Sequence, residues 1–340
     1  AALNLSYELD FWGRNRAAYE GALGRARAAQ AEQQAARLSL AAAVTRAYLQ
    51  LAAAWEQRDI AARTLEQREK LLELSRARLS AGIDSRVELE QAAAGIPAAR
   101  EQILRHEEQI ALSRSQLAAL AGKGPDAGLA LARPQLGPAP AALLPSTLPA
   151  DLLGRRPDIV AQRWRVEAAA RDIDAAKAEF YPNVNLNAFV GLQALGFDHW
   201  LDLGSEMAGA GPALRLPLFD GGRLRANLAG RDAGFDLALE QYNQTLIDAL
   251  REVADQLTLA RSIEARRHQS EAALGHAEKS YALALERYRG GLSSQLQVLA
   301  AESQVLEQRS LAAELRSRAL DASVGLMRAL GGGYAPGNDS

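Results

Sequence analysis

Residues 14–80 and 223–289 contain no proline, few glycines and long runs of good helix formers. No other feature narrows the fold so sharply. As uninterrupted helix, each 67-residue stretch would be about 100 Å long at about 1.5 Å per residue. No compact domain encloses such a helix. It must lie against other helices along its length, as in a coiled coil. Residues 86–121 and 295–330 read as shorter helices. Only about five residues separate each from the long helix before it, so long and short must fold back antiparallel.

The two hairpins are related by a shift of 209 residues (223 − 14 = 209). In that register Arg14 meets Arg223, Val44 meets Val253, Leu65 meets Leu274 and Arg78 meets Arg287. Gly82 then meets Gly291, Ser85 meets Ser294, Leu117 meets Leu326 and Gly122 meets Gly331. The identities are sparse. The shared order is the stronger signal: strand-like segment, Gly-Arg, long helix, glycine break, shorter helix, glycine stop. A fixed-period self-similarity of this kind organises the whole fold. Two internal repeats are therefore expected.

Period-2 segments precede each hairpin. In "LNLSYELDF", Leu3, Leu5, Tyr7, Leu9 and Phe11 share one face, with Asn4, Ser6, Glu8 and Asp10 on the other. In "NVNLNAFV", Val184, Leu186, Ala188 and Val190 oppose Asn183, Asn185, Asn187 and Phe189. In "ALRLPLF", Leu214, Leu216 and Leu218 point one way. One apolar face at period 2 is a half-buried strand, and Pro217 confines the last to a strand end or edge. Six of the twelve prolines fall in 122–149, which marks a linker or irregular subdomain. A further helix is expected over roughly 150–180, starting after Ser146 and Thr147, with "GRRPDI" near its start. The order is thus strand 1–13, hairpin 14–121, linker 122–149, helix 150–182, strands with an outer loop 183–222, hairpin 223–330 and tail 331–340. Shifted back by the repeat, the strand at 183 falls at −26 (183 − 209 = −26). The first unit therefore reads as truncated by one helix and one strand. The opening "AALNLSYELD" is already patterned, so the chain reads as a mature or trimmed segment.

Several chemistries find no support. Net charge is −2 with Lys and Arg scattered among acids, which argues for solvated helix faces and against nucleic acid. There is no cysteine, hence no disulfide framework or Cys-based metal site. His106, His199, His268 and His276 show no metal-ligand spacing, so no metal or cofactor is expected. "GKG" at 122–124 lacks the rest of a phosphate loop, and "GGG" at 331–333 reads as a helix stop. No Ser-His-Asp or paired-acid arrangement stands out. Nothing suggests an enzyme.

Aromatics make up 5% of the residues, too few to fill a sandwich core. Strands of about ten residues with one apolar face suit a transmembrane barrel instead. Three or four strands cannot close a barrel, and lipid does not tolerate an open edge. A barrel shared among chains, continued by a shared tube of helices, satisfies both constraints. The Asn183, Asn185 and Asn187 face would then line the lumen. Tyr181, Phe197 and Trp200 are candidates for interfacial aromatics or for loop packing.

The motifs "SYELDFWGR", "LGRRPDI", "AEFYPNVNL", "LRLPLFDGGR", "YRGGLSSQLQVLAAES" and "ALGGGY" occur in this order over nearly the whole chain. Together they resemble the TolC-like outer-membrane efflux proteins, in particular the lipoprotein branch that partners RND-type pumps. The resemblance implies a homotrimer with a 12-stranded transmembrane barrel in outer-membrane lipid, four strands per subunit, continued by a periplasmic helical barrel. Three of those strands are visible here. It implies an exit duct of a tripartite efflux system for drugs or other small toxic compounds, opened by a periplasmic adaptor and an inner-membrane pump. The alternatives are a type I protein-secretion duct of the same fold and a non-channel coiled-coil adaptor protein. The lipidated N-terminal cysteine of that branch is not among these residues.

The resemblance also assigns roles. Gly82, Ile83, Asp84 and Ser85 become one adaptor-docking tip, and Gly291, Leu292, Ser293 and Ser294 the other. Glu88 and Tyr288 fall at gate positions, and Glu88 is expected to accept a hydrogen bond from Tyr288 or pair with a nearby Arg. Leu296 falls at an apolar constriction. One turn on, relatives carry Asp where this chain has Ala300, with Gln297 three residues before it. The tip should therefore be less cation-selective.

Overall fold

The computed structural model describes residues 2–136, 154–192 and 206–334. The element order is β1 (Ala2–Leu9), α1 (Arg14–Ser80), α2 (Arg86–Leu120), α3 (Asp126–Leu129), α4 (Pro157–Ala178), β2 (Asn183–Leu192), β3 (Glu206–Arg215), α5 (Arg223–Arg289) and α6 (Gln295–Ala329). The bounds of α1 and α2 recur in α5 and α6 with the same lengths, 67 and 35 residues. Glycines with positive φ recur at matching positions: Gly13, Gly82 and Gly122 in the first set answer to Gly222, Gly291 and Gly331 in the second, which also has Gly221, Gly332 and Gly333.

The chain divides into two compact units. One comprises Ala1–Ala35, Ala150–Ala249 and Tyr334–Ser340. Its sheet is antiparallel in the order β1-β2-β3. Leu5 pairs with Ala188, which pairs with Ala210; Tyr7 pairs with Leu186, which pairs with Pro212. This register makes one apolar face continuous across three strands. The protomer does not cover it: Leu3, Leu5, Tyr7 and Leu214 are each more than 60% exposed. The opposite face aligns Ser6 with Asn187 and Glu8 with Asn185, and Ser6 donates to Asn187 Oδ1 at 2.9 Å. Phe189 interrupts that polar face. It is accommodated by Gly209, where a Cβ would sit 2.7 Å from the ring.

β3 differs from expectation. It begins at Glu206 and ends at Arg215, so Leu216 and Leu218 lie beyond it. "EMAGAG" pairs through small residues that give no apolar alternation, while Pro217 stops the ladder. Pro212 is tolerated because β3 is an edge strand. The helix expected from about 150 has Pro157 as its first residue, where a missing N–H costs nothing. Ser146 and Thr147, proposed as its start, lie outside the described residues. So do Phe197, His199, Trp200 and residues 137–149 of the linker; in its described part, α3 is a helical turn at 126–129. In the same unit α4 packs on the start of α1. Ala31, Val160 and Ala161 are buried together beside Trp164 and Tyr334, and a Cβ on Gly24 would lie 3.1 Å from Ala168 Cβ.

The second unit is Ala36–Pro149 and Leu250–Gly333, and its described residues are mainly helical. Alanines keep its helices close: Ala47, Leu51 and Ala54 of α1 are buried with Ile110 and Leu117 of α2. Ala42 and Leu49 of α1 are buried with Val324 of α6. No described helix is long and apolar enough to cross a membrane.

Candidate functional site

α1 and α5 end in the same backbone device. Gly82 has φ 72° and Gly291 φ 73°. Ile83 N–H donates to the Arg78 carbonyl at 2.9 Å and Gly82 N–H to Leu79 at 3.0 Å. Leu292 and Gly291 make the equivalent bonds to Arg287 and Tyr288 at 2.8 and 3.0 Å. These paired bonds are a Schellman cap, which needs a left-handed residue and so glycine. Beyond the glycine each turn presents apolar groups to solvent: Ile83 (61% exposed) and Val87 on the first, Leu292 (73%) and Leu296 on the second.

Beneath the turns lies a buried polar network, and it is not duplicated. Arg78 forms a bidentate pair with Asp84, Nε to Oδ2 at 2.9 Å and Nη2 to Oδ1 at 3.0 Å. Its Nη1 donates to the Tyr288 carbonyl at 2.7 Å, and its guanidinium stands 4.3 Å from the Tyr288 ring centroid. The Tyr288 hydroxyl donates to Asp84 Oδ2 at 2.5 Å and lies 3.4 Å from Ser75 Oγ. Gln295 Nε2 donates to Ser75 Oγ at 3.3 Å. Tyr288, Ser75 and Gln295 are essentially inaccessible, and Leu71 and Val298 pack against Tyr288. The network ties α1 and its turn to α5 and α6. In the second turn Ser293 replaces Asp84, so Arg287 has no equivalent carboxylate there.

The charges follow from these contacts. The Arg78 guanidinium, with some help from the Tyr288 hydroxyl, holds the Asp84 carboxyl below the ordinary aspartate value despite its burial. Burial, then the bond to Asp84, pushes the Tyr288 hydroxyl up. At neutral pH the network is therefore a carboxylate held by a guanidinium and a protonated phenol.

This corrects one expectation. Tyr288 bonds Asp84, not Glu88. Glu88 accepts from Ser85 N–H at 2.9 Å and from the Ser85 hydroxyl, while Val87 N–H donates to Ser85 Oγ at 3.2 Å. Ser85 and Glu88 form a capping box at the start of α2. The third helical position directs Glu88 back onto the cap, whereas Asp84, still in the turn, points inward. Arg78 and Ser75 were missed as site residues. Polar residues one and two helical turns before a glycine stop, on the apolar face, are the available signal. Leu296 and Ala300 are exposed on one face of α6, and Gln295, Val298 and Glu302 are buried on the other.

An uncovered apolar sheet face together with long paired hairpins is the architecture that the resemblance to TolC-like outer-membrane proteins implied. The chain belongs to the outer membrane efflux protein family, whose model matches residues 1–123 and 148–332. It is similar to the fusaric acid resistance protein FusA of Burkholderia cepacia, 50% identical over 238 residues, covering 68% of this chain and 44% of FusA. It is similar to the multidrug resistance outer membrane protein MdtP of Shigella flexneri, 35% identical over 332 residues, covering 96% of this chain and 67% of MdtP. The chain thus spans less than half the length of FusA and about two-thirds that of MdtP. The crystal structure of the outer membrane protein VceC from Vibrio cholerae superposes with a TM-score of 0.91 at 39% identity, covering 98% of this chain and 80% of VceC. The names of these relatives speak of resistance and of the outer membrane, and none of them names a catalytic activity.

Proposed function

We propose that this chain is the protomer of an outer-membrane exit duct in a tripartite efflux system, conducting small toxic compounds passively from the periplasm. Three copies would complete a 12-stranded barrel and continue it as a tube of helices. Each protomer would contribute two repeats of one hairpin design, as the recurring helix bounds and glycine caps suggest. The observation that carries this reading is the sheet: its apolar face is continuous, uncovered and of bilayer-compatible strand length, while its other face is polar apart from Phe189.

The two turns are the periplasmic tips. Asp84, Arg78 and Tyr288 hold the tip closed within the protomer. Leu296 provides an apolar constriction, and Ala300 leaves it without a charged ring, so the tip discriminates weakly between cations and anions. Ile83 and Leu292, with the backbone of Gly82, Ser85, Gly291, Ser293 and Ser294, offer the surface on which an adaptor docks. An RND-type pump supplies the energy, and adaptor binding shifts the tip toward its open state.

Deletion of the gene followed by a susceptibility screen tests the function. The name of FusA makes organic acids the first compounds to try, with drugs next. Deletion should lower the tolerated concentration of at least one class, and the full-length gene should restore it. Unchanged tolerance across drugs, organic acids and metals would contradict the efflux role.

A further inference from the structure

The lock at the tip leaves Glu302 unused, yet this carboxylate is 2% exposed. It lies on the buried face of α6 between Val298 and Val305, about 10 Å from Gln295 along the axis at about 1.5 Å per residue. Glu302 Oε2 stands 3.5 Å from Nε of Arg68 on α1. Neither atom has a hydrogen-bond partner among the described residues. Arg68 directs its bond elsewhere: Nη1 donates to the Gly95 carbonyl of α2 at 2.9 Å. A Cβ on Gly95 would meet Arg68 Cδ at 3.2 Å, and Pro97 lies inside α2 two residues on. One carboxylate, one guanidinium and one carbonyl thus join α6, α1 and α2. From α5 the titratable group near Glu302 is Tyr281. Its hydroxyl is pushed up by burial and by the Glu302 charge, so it stays protonated at neutral pH. Arg309 also acts on Tyr281 and is itself engaged by Glu278 at 2.8 Å.

A carboxylate this deeply buried is costly when ionised, and its one ion-pair contact, with Arg68 at 3.5 Å, offsets that cost only in part. We propose that Glu302 is a proton-responsive strut of the tip: with its proton, α6 packs on α1 and the tip stays closed; without it, the arrangement in which α6 lifts and the carboxylate meets water is favoured. The proposal rests on the duct reading and adds its regulation. Burial pushes the Glu302 carboxyl above its ordinary value, with Arg68 opposing only in part. A raised acid binds its proton more tightly in the packed state. Closure therefore strengthens as pH falls through the raised value and weakens as pH rises through it. Asp84 has the opposite sign, because its lock is lost only when pH falls below the ordinary aspartate range. Closure is tightest between the two. Glu302 touches no cargo; it is a positioning residue.

The test is the open fraction of the full-length protein in planar lipid bilayers, from about pH 4 to about pH 8. Above the ordinary glutamate value the open fraction should rise with pH, by up to about tenfold per pH unit for each linked proton. Glu302→Gln, a neutral isostere, should abolish the rise and keep the channel closed, while Glu302→Asp should retain a rise. Thermal unfolding gives a second readout: Glu302→Gln should raise the midpoint at neutral pH and leave it unchanged at acid pH. A flat wild-type profile, or a rise that survives Glu302→Gln, overturns the proposal. If Asp84→Ala still opens the pore while Glu302→Gln leaves the pH profile unaltered, the strut is wrong and the duct reading stands. A protein that forms no pore at any pH overturns both.

Discussion

At the scale of single residues, the turn after α1 is held by one carboxylate with two different donors. Tyr288→Phe removes one donor and leaves the ring packed against Leu71 and Val298. A hydrogen bond to a charged group contributes about 1.5–3 kcal/mol; the urea midpoint of unfolding should fall accordingly. Asp84→Ala should cost more, roughly 3–5 kcal/mol, because it strands a buried guanidinium. The acid limb has a definite sign. Asp84 titrates below its ordinary value, so the lock is complete above the ordinary aspartate range and is lost as pH falls through the lower, folded value. Asp84→Asn should flatten that acid limb of a stability-versus-pH curve; an unchanged limb would point to other carboxylates. The glycines, Asp84 and Glu88 were all legible in sequence, but not which acid turns inward. That choice depends on the left-handed φ of Gly82, which puts Asp84 beneath the turn and leaves Glu88 on the first turn of α2.

At the scale of elements, the hairpins are specified locally. Long proline-free runs ended by a glycine bound α1 and α5, and a serine start with a glycine stop bounds α2 and α6, which is why their limits could be read to within a residue. Gly291 has open space around its Cα, so Gly291→Ala should cost only the left-handed backbone penalty, about 1–2 kcal/mol. Calorimetry should show a modest loss; no loss at all would mean the turn had changed type. Leu51 is fully buried between α1 and α2, and Leu51→Ala should cost about 2–5 kcal/mol. β3 was less legible. Its upstream half carries only small residues after Met207, and of the three leucines that drew attention only Leu214 lies within it. In an edge strand, pairing to β2 supplies what the side-chain pattern does not.

At the scale of the whole molecule, the apolar residues the protomer leaves exposed are as informative as those it buries. Leu5 sits mid-strand on the uncovered sheet face. If lipid covers that face, Leu5→Arg should destabilise the inserted barrel by roughly 2–4 kcal/mol, read as loss of folding into bilayers with little effect on the helical circular dichroism. Helix-face residues such as Leu104, Leu112 and Leu283 are also more than half exposed and fit contacts with further copies of the chain. What covers these faces is not written in a single sequence, because period and propensity describe one chain at a time. The measurement that bears most directly on the central claim is the single-channel conductance of the full-length protein in planar bilayers, wild type against Asp84→Ala. The account predicts a mostly closed wild-type channel and a conductance several-fold larger in the variant. Equal conductance in the two, with both proteins folded and inserted, would contradict a gate held shut by Asp84, Arg78 and Tyr288.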